Sequence, residues 1–159
     1  MEMKMAEKKI NDKRTWVMGT KYLLDFMFFS GILVTASLPW SIRLIGRQLP
    51  YLLTCYEETV IIYFVLGVAA EKLLWELRKI FETVLEENCF VQANVISLRR
   101  MGNWSFFIAL MAVVRSIVYL TVAMGVVILV FVVAGLFSKV LSLVFEQAVA
   151  YKEDSDLTV

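Results

Sequence analysis

The sequence predicts an all-α fold: a polytopic integral membrane protein with four transmembrane helices and a cytoplasmic helical extension between spans 2 and 3. Three observations predict it. Of the 159 residues, 60% are hydrophobic and 19% charged, whereas an average soluble domain holds roughly 45–50% and about 25%. Only two prolines and seven glycines interrupt the chain, so its long apolar runs are free to be helical. The charges cluster between those runs rather than within them.

A helix needs about 20 apolar residues to cross ~30 Å of hydrocarbon. Residues 1–21 form a basic arm with Lys4, Lys8, Lys9, Lys13, Arg14 and Lys21. Span 1 follows at residues 22–40, with Asp25 as its single formal charge and Pro39 and Trp40 at its end. Proline acts there as a breaker and tryptophan as an interfacial anchor. Val34 and Ala36 fit a small-residue cleavage pattern, but the arm is long and the apolar run exceeds the 7–15 residues of a signal core, so a membrane anchor is expected rather than a cleaved signal.

Span 2 is expected at residues 51–70, with Glu57 and Glu58 inside it. Without a breaker it runs on into residues 71–102, the cytoplasmic segment. Leu73, Leu74, Leu77, Ile80, Phe81, Val84 and Leu85 recur there at helical spacing opposite a charged face. The stripe fits packing against the membrane surface or the chain's own return helix, or a docking face for a partner. Asn88 is expected to end this helix, and a second, shorter helix over residues 91–100 to return to the membrane near Gly102 and Trp104.

From Trp104 to Val144 only Arg115 and Lys139 are charged. One helix of that length would be about 60 Å long, twice the bilayer core. The stretch therefore divides into span 3, residues 104–122, and span 4, residues 125–145, with a turn at residues 121–125. Ala134, Ser138 and Ser142 recur at every fourth position, the mark of a close helix contact within the chain or between copies. Residues 146–159 form the tail. The arm, the extension and the tail, together with Lys139 near the inner end of span 4, hold 13 of the 16 basic residues, which puts both termini in the cytoplasm.

Ionisable residues inside spans are functional candidates. Glu57, Glu58 and Arg115 all fall about 10 Å below the outer surface, so Arg115 is expected to pair with one of the glutamates, either as a structural ion pair or as an outward-facing ligand pocket. Asp25 and Lys139 lie at the inner leaflet, where they either meet or extend separately to the headgroups.

Several classes of chemistry are excluded. The chain has no histidine, which removes the commonest general base and metal ligand. Cys55 and Cys89 make neither a zinc site nor a disulfide framework. No hydrolase or metalloprotease motif occurs, and Ser138 and Lys139 are adjacent, hence on different helix faces. No enzyme, metal or cofactor is expected. The net charge of +1 argues against direct nucleic-acid binding.

The tail, EQAVAYKEDSDLTV, resembles the closing motif of a family of small bacterial four-helix membrane proteins of unknown function, which end in patterns close to QEA-x-x-x-KEENDLTV. Glu146, Ala148, Lys152, Glu153, Asp156, Leu157, Thr158 and Val159 match it. The run FVQANVISLRRMG resembles the family's F-S-x-E-N-x-x-x-L-R-R-I-G through Phe90, Asn94, Leu98, Arg99, Arg100 and Gly102, while Val91 and Ala93 depart from it. The resemblance implies a partner, because such proteins are often encoded beside a Cro-like helix-turn-helix regulator. The expected function is a non-enzymatic sensor or regulatory adaptor of the bacterial cytoplasmic membrane. Its partner-binding residues would be Phe90, Asn94, Leu98, Arg99 and Arg100 with Glu146, Lys152, Glu153, Asp156, Leu157, Thr158 and Val159. The alternatives are a small transporter or a resistance or immunity protein using Glu57, Glu58 and Arg115, or a subunit of a larger membrane complex, with the homo-oligomer as a further candidate assembly.

Overall fold

In the computed structural model the chain is all-helical. The structure describes residues 2–46, 56–86, 88–118 and 121–156. Four helices cover them: α1 (Glu2–Gly46), α2 (Tyr56–Leu85), α3 (Gln92–Val118) and α4 (Val122–Asp156).

Helix α1 differs from expectation at both ends. The basic arm is helical and continuous with the apolar run, and Pro39 lies inside the helix instead of closing it. Proline removes one donor of the ladder and crowds the carbonyl four residues back, yet the helix continues through it. Around it, Ser30 and Ser37 donate back to the carbonyls of Met27 and Val34, at 3.2 and 2.9 Å, and Tyr56 donates its hydroxyl to the Pro39 carbonyl at 2.8 Å.

Helix α2 runs unbroken from the second apolar stretch through the charged extension, as its spacing predicts, and ends at Leu85. The Asn88 amide closes the turn on the Thr83 carbonyl at 3.0 Å. The separate return helix does not exist: residues 92–118 form one helix through Gly102. That glycine serves close packing, since a Cβ there would lie 3.2 Å from the Gly135 carbonyl oxygen and 3.0 Å from Lys139 Cγ. The last turn falls a few residues earlier than expected. Thr121 caps α4 by accepting from the Met124 amide at 3.4 Å, which leaves Gly125 inside the helix. The tail remains helical to Asp156.

Each helix packs against its neighbour in sequence: α1 on α2, α2 on α3, α3 on α4. No other pair comes into contact among the described residues. The core is built at one end. Ile80, Leu98 and Met101 bury together, covered by Leu73, Leu77, Val84, Leu141 and Phe145. The apolar stripe of α2 thus packs on the chain's own α3, and Leu141 and Phe145 of α4 cover the cluster. Elsewhere helices meet through small residues. Thr35 fills the space beside Gly67, and Phe106 the space beside Gly135. Ser105, Ala109, Ala112, Ser138 and Ser142 are buried, so the small-residue row of α4 is an internal contact.

The outer faces of α1 and α4 are apolar and open. Phe26 and Leu33 are each 70% exposed, and Leu129 and Phe137 are 64% and 67% exposed. Among the described residues, Thr15–Leu44 and Val122–Ser155 are long and apolar enough to cross a membrane. Soluble monomers rarely leave such continuous apolar faces open.

Candidate functional site

The polar groups fall into two tiers. In the first, Arg115 is buried and donates from Nη2 to Thr59 Oγ1 at 3.2 Å, with its guanidinium 5.8 Å from the Tyr63 ring centre. Arg43 sits 5.2 Å over the Tyr56 ring. Glu57 and Glu58 belong to the same tier, with both side chains exposed. Thr59 directly follows the acidic pair on α2, and Tyr63 lies one turn further along.

The second tier is denser. Lys21 Nζ lies 3.6 Å from Glu82 Oε1, and Arg78 Nε 2.6 Å from Asp25 Oδ1. Asp25 therefore pairs across α1 and α2. It neither meets Lys139, which packs over Gly102, nor extends alone to solvent, because the antiparallel register puts residue 25 opposite residue 78. Glu76 is buried and accepts from Ser97 Oγ at 2.8 Å and Arg100 Nη1 at 3.4 Å, with Lys79 Nζ at 3.6 Å. Sequence reasoning placed Glu76 on a solvated charged face. Its burial depends on α3 crossing α2 there, which no local signal reports.

The two motif segments meet at this same end. Arg99 donates from Nη2 to Glu146 Oε2 at 3.1 Å, with both side chains about half exposed. The Phe90 and Phe145 rings pack with centroids 5.4 Å apart. Lys152 Nζ reaches Asn88 Oδ1 at 3.3 Å. Residues 47 to 64 positions apart thereby form one exposed surface. Arg100 lies on it and reaches inward to Glu76, and Glu153 is exposed beside it.

Two residues expected on that surface are interior. Asn94 is buried, donating from Nδ2 to Thr83 Oγ1 and to the Cys89 carbonyl, both at 2.7 Å. The Thr83 hydroxyl in turn donates a hydrogen bond to the Ile80 carbonyl at 2.8 Å. Leu98 is part of the core. Both pin the α2–α3 corner, because the helical period turns them inward while Arg99 faces out. Of the tail, Asp156 is described as backbone only, and Leu157, Thr158 and Val159 lie outside the described residues.

A third feature was missed altogether. Between α1 and α2 lies a groove of about 500 Å³, lined by Phe28, Ile32, Phe64, Val68 and Trp75 together with Glu71 and Lys72. Glu71 read as the first residue of the solvated extension. In the folded chain it turns back along α1, with its carboxylate pressed into the space that Gly31 leaves by having no side chain. Among the described residues no group of three or more acidic, cysteine or histidine side chains is placed to hold a metal ion.

Compared with known families, residues 30–159 match the model described as "Protein of unknown function (DUF2975)". Searches of curated proteins and of solved structures give no match.

Proposed function

The chain belongs to the DUF2975 family, proteins of unknown function, and from that premise we propose that it is a non-enzymatic sensor or regulatory adaptor of the bacterial cytoplasmic membrane that holds a cytoplasmic helix-turn-helix regulator. The observation that carries this reading is the joining of the two motif segments at one end of α3 and α4, through Arg99–Glu146, Phe90–Phe145 and Lys152–Asn88.

All four helices cross the bilayer in this reading, with both termini in the cytoplasm. The support is the two-tier arrangement. Arg115 and Arg100 are 15 residues apart on α3, roughly 22 Å along a helix axis. Snorkelling side chains at each tier extend such a layer toward the ~30 Å of a hydrocarbon core. The tier with Lys21, Arg78, Lys79, Arg99, Arg100 and Lys139 is the more basic one and faces the cytoplasm.

The regulator docks on the exposed surface of Phe90, Arg99, Arg100, Glu146, Lys152 and Glu153, extended by the last residues of the tail. Asn94 and Leu98 hold that surface in shape from beneath. The test is co-purification from bacterial membranes of a helix-turn-helix regulator encoded beside the gene. Full-length protein retains it, and a chain ending at Ala150 does not. Undiminished capture by the shortened chain would remove the tail from the interface, and absence of capture by the full chain would refute the adaptor reading.

A further inference from the structure

We propose that the groove between α1 and α2 binds a lipophilic organic cation, a positive centre flanked by apolar groups, and that Glu71 supplies its counter-charge. The site is separate from the cytoplasmic docking surface, and its occupancy can be read without any partner protein.

The walls set the class of ligand. Phe28, Phe64 and Trp75 give the groove aromatic surfaces, and Ile32 and Val68 close it with aliphatic ones. Its volume of about 500 Å³ suits a small organic molecule. The aromatic faces already accept a cation at one end. The Arg78 guanidinium lies 5.0 Å from the Phe28 ring centre and 5.6 Å from that of Trp75, within the range of an attractive contact with the ring quadrupole.

The carboxylate sets the charge. Glu71 Oε1 abuts Gly31. Glu71 Oε2 is shut off from solvent and receives no hydrogen bond among the described residues. A carboxylate oxygen withheld from water and donors is costly, and the field of a positive centre in the groove beside it would offset that cost without contact with Oε2 itself. Lipid acyl chains would cover the same walls yet leave the carboxylate charge unbalanced, and an organic anion would be repelled by it. A divalent metal needs several oxygen ligands, whereas this groove offers one carboxylate. Lys72 stands on the rim with an exposed side chain, so its ammonium opposes an entering cation and weakens binding.

The test uses full-length protein in phosphatidylcholine nanodiscs, with radiolabelled tetraphenylphosphonium as the probe and empty discs as background. Wild type binds it saturably. Glu71→Gln, which keeps the shape and removes the charge, weakens binding at least tenfold. Gly31→Ala, which puts a methyl group where the carboxylate rests, weakens it as well. Lys72→Gln tightens it several-fold. Tetraphenylborate, of matched size and opposite charge, does not compete. Each variant is checked for wild-type helicity and elution. Binding no greater than in empty discs, equal binding by folded Glu71→Gln, or competition by tetraphenylborate would overturn the proposal. Should Glu71→Gln fail to fold, an unchanged affinity in Lys72→Gln would overturn it alone.

Discussion

Arg78 places Nε 2.6 Å from Asp25 Oδ1 while its guanidinium lies over the rings of Phe28 and Trp75. The pair joins the first two helices at a level where α1 is otherwise apolar, and both side chains are less than a third exposed. Asp25→Asn leaves the guanidinium without its counter-charge in that setting. A loss of roughly 2 kcal/mol is expected, toward the low end for a broken pair because water still reaches it. Thermal unfolding of the detergent-purified variant measures this, and Arg78→Leu added to Asp25→Asn should cost less than the two single losses combined.

The buried Arg115 gives a sharper contrast. Arg115→Leu removes the donor to Thr59 and the cation beside Tyr63, and should lower the unfolding temperature far more than Arg43→Leu, since Arg43 is exposed. Thr59→Val should cost only about 1 kcal/mol, the scale of a single hydrogen bond, because the Tyr63 contact remains. Equal unfolding temperatures for the Arg115 and Arg43 variants would contradict this placement.

Glycines separate by what surrounds them. Gly102→Ala brings a methyl group 3.2 Å from a backbone oxygen of α4, which cannot swing aside as the Lys139 side chain can. Overpacking of this kind costs about 1–3 kcal/mol. Gly125 lies in α4 with open space around it, so Gly125→Ala should stabilise by roughly 0.5 kcal/mol through its helix preference. The two unfolding temperatures should move in opposite directions.

The docking surface and its support are separable. Asn94→Ala deletes the bonds to Thr83 and the Cys89 carbonyl and should cost about 2 kcal/mol of stability, since it leaves a part-buried acceptor without its donor. Arg99→Ala breaks only a half-exposed pair and should change stability by less than 1 kcal/mol, while reducing retention of a helix-turn-helix regulator. Retention unchanged by Arg99→Ala, measured beside the tail truncation, would move the interface away from this residue.

Much of the helical content was legible from composition and period. The run from Tyr56 through Leu85 reads as one helix because nothing in it breaks the 3.6-residue spacing, and it folds as one. Pro39 and Gly102 misled for one shared reason. Each looks like punctuation, but a long helix can run on through a proline at the cost of one bond and a local clash, and a glycine can mark close approach of another backbone. Among candidate site residues, Arg99 and Glu146 were readable as motif positions, and their meeting across 47 residues was not. Asn94 and Leu98 share that motif but face the core, a distinction made by the ~100° of helical phase between successive residues and not carried by the motif itself.

By itself the sequence determined that this chain is helical and where its charges gather, because these follow from local composition and periodicity; of the four spans it predicts, two fall on described helices long and apolar enough to cross a bilayer. Tertiary structure alone decided which charges become partners. Antiparallel pairing set Asp25 against Arg78, drew Glu76 under Ser97 and Arg100, and folded Glu71 back against Gly31. The physical reason is register: a shift of one or two residues between helices would leave every local pattern intact and give each of these carboxylates a different neighbour.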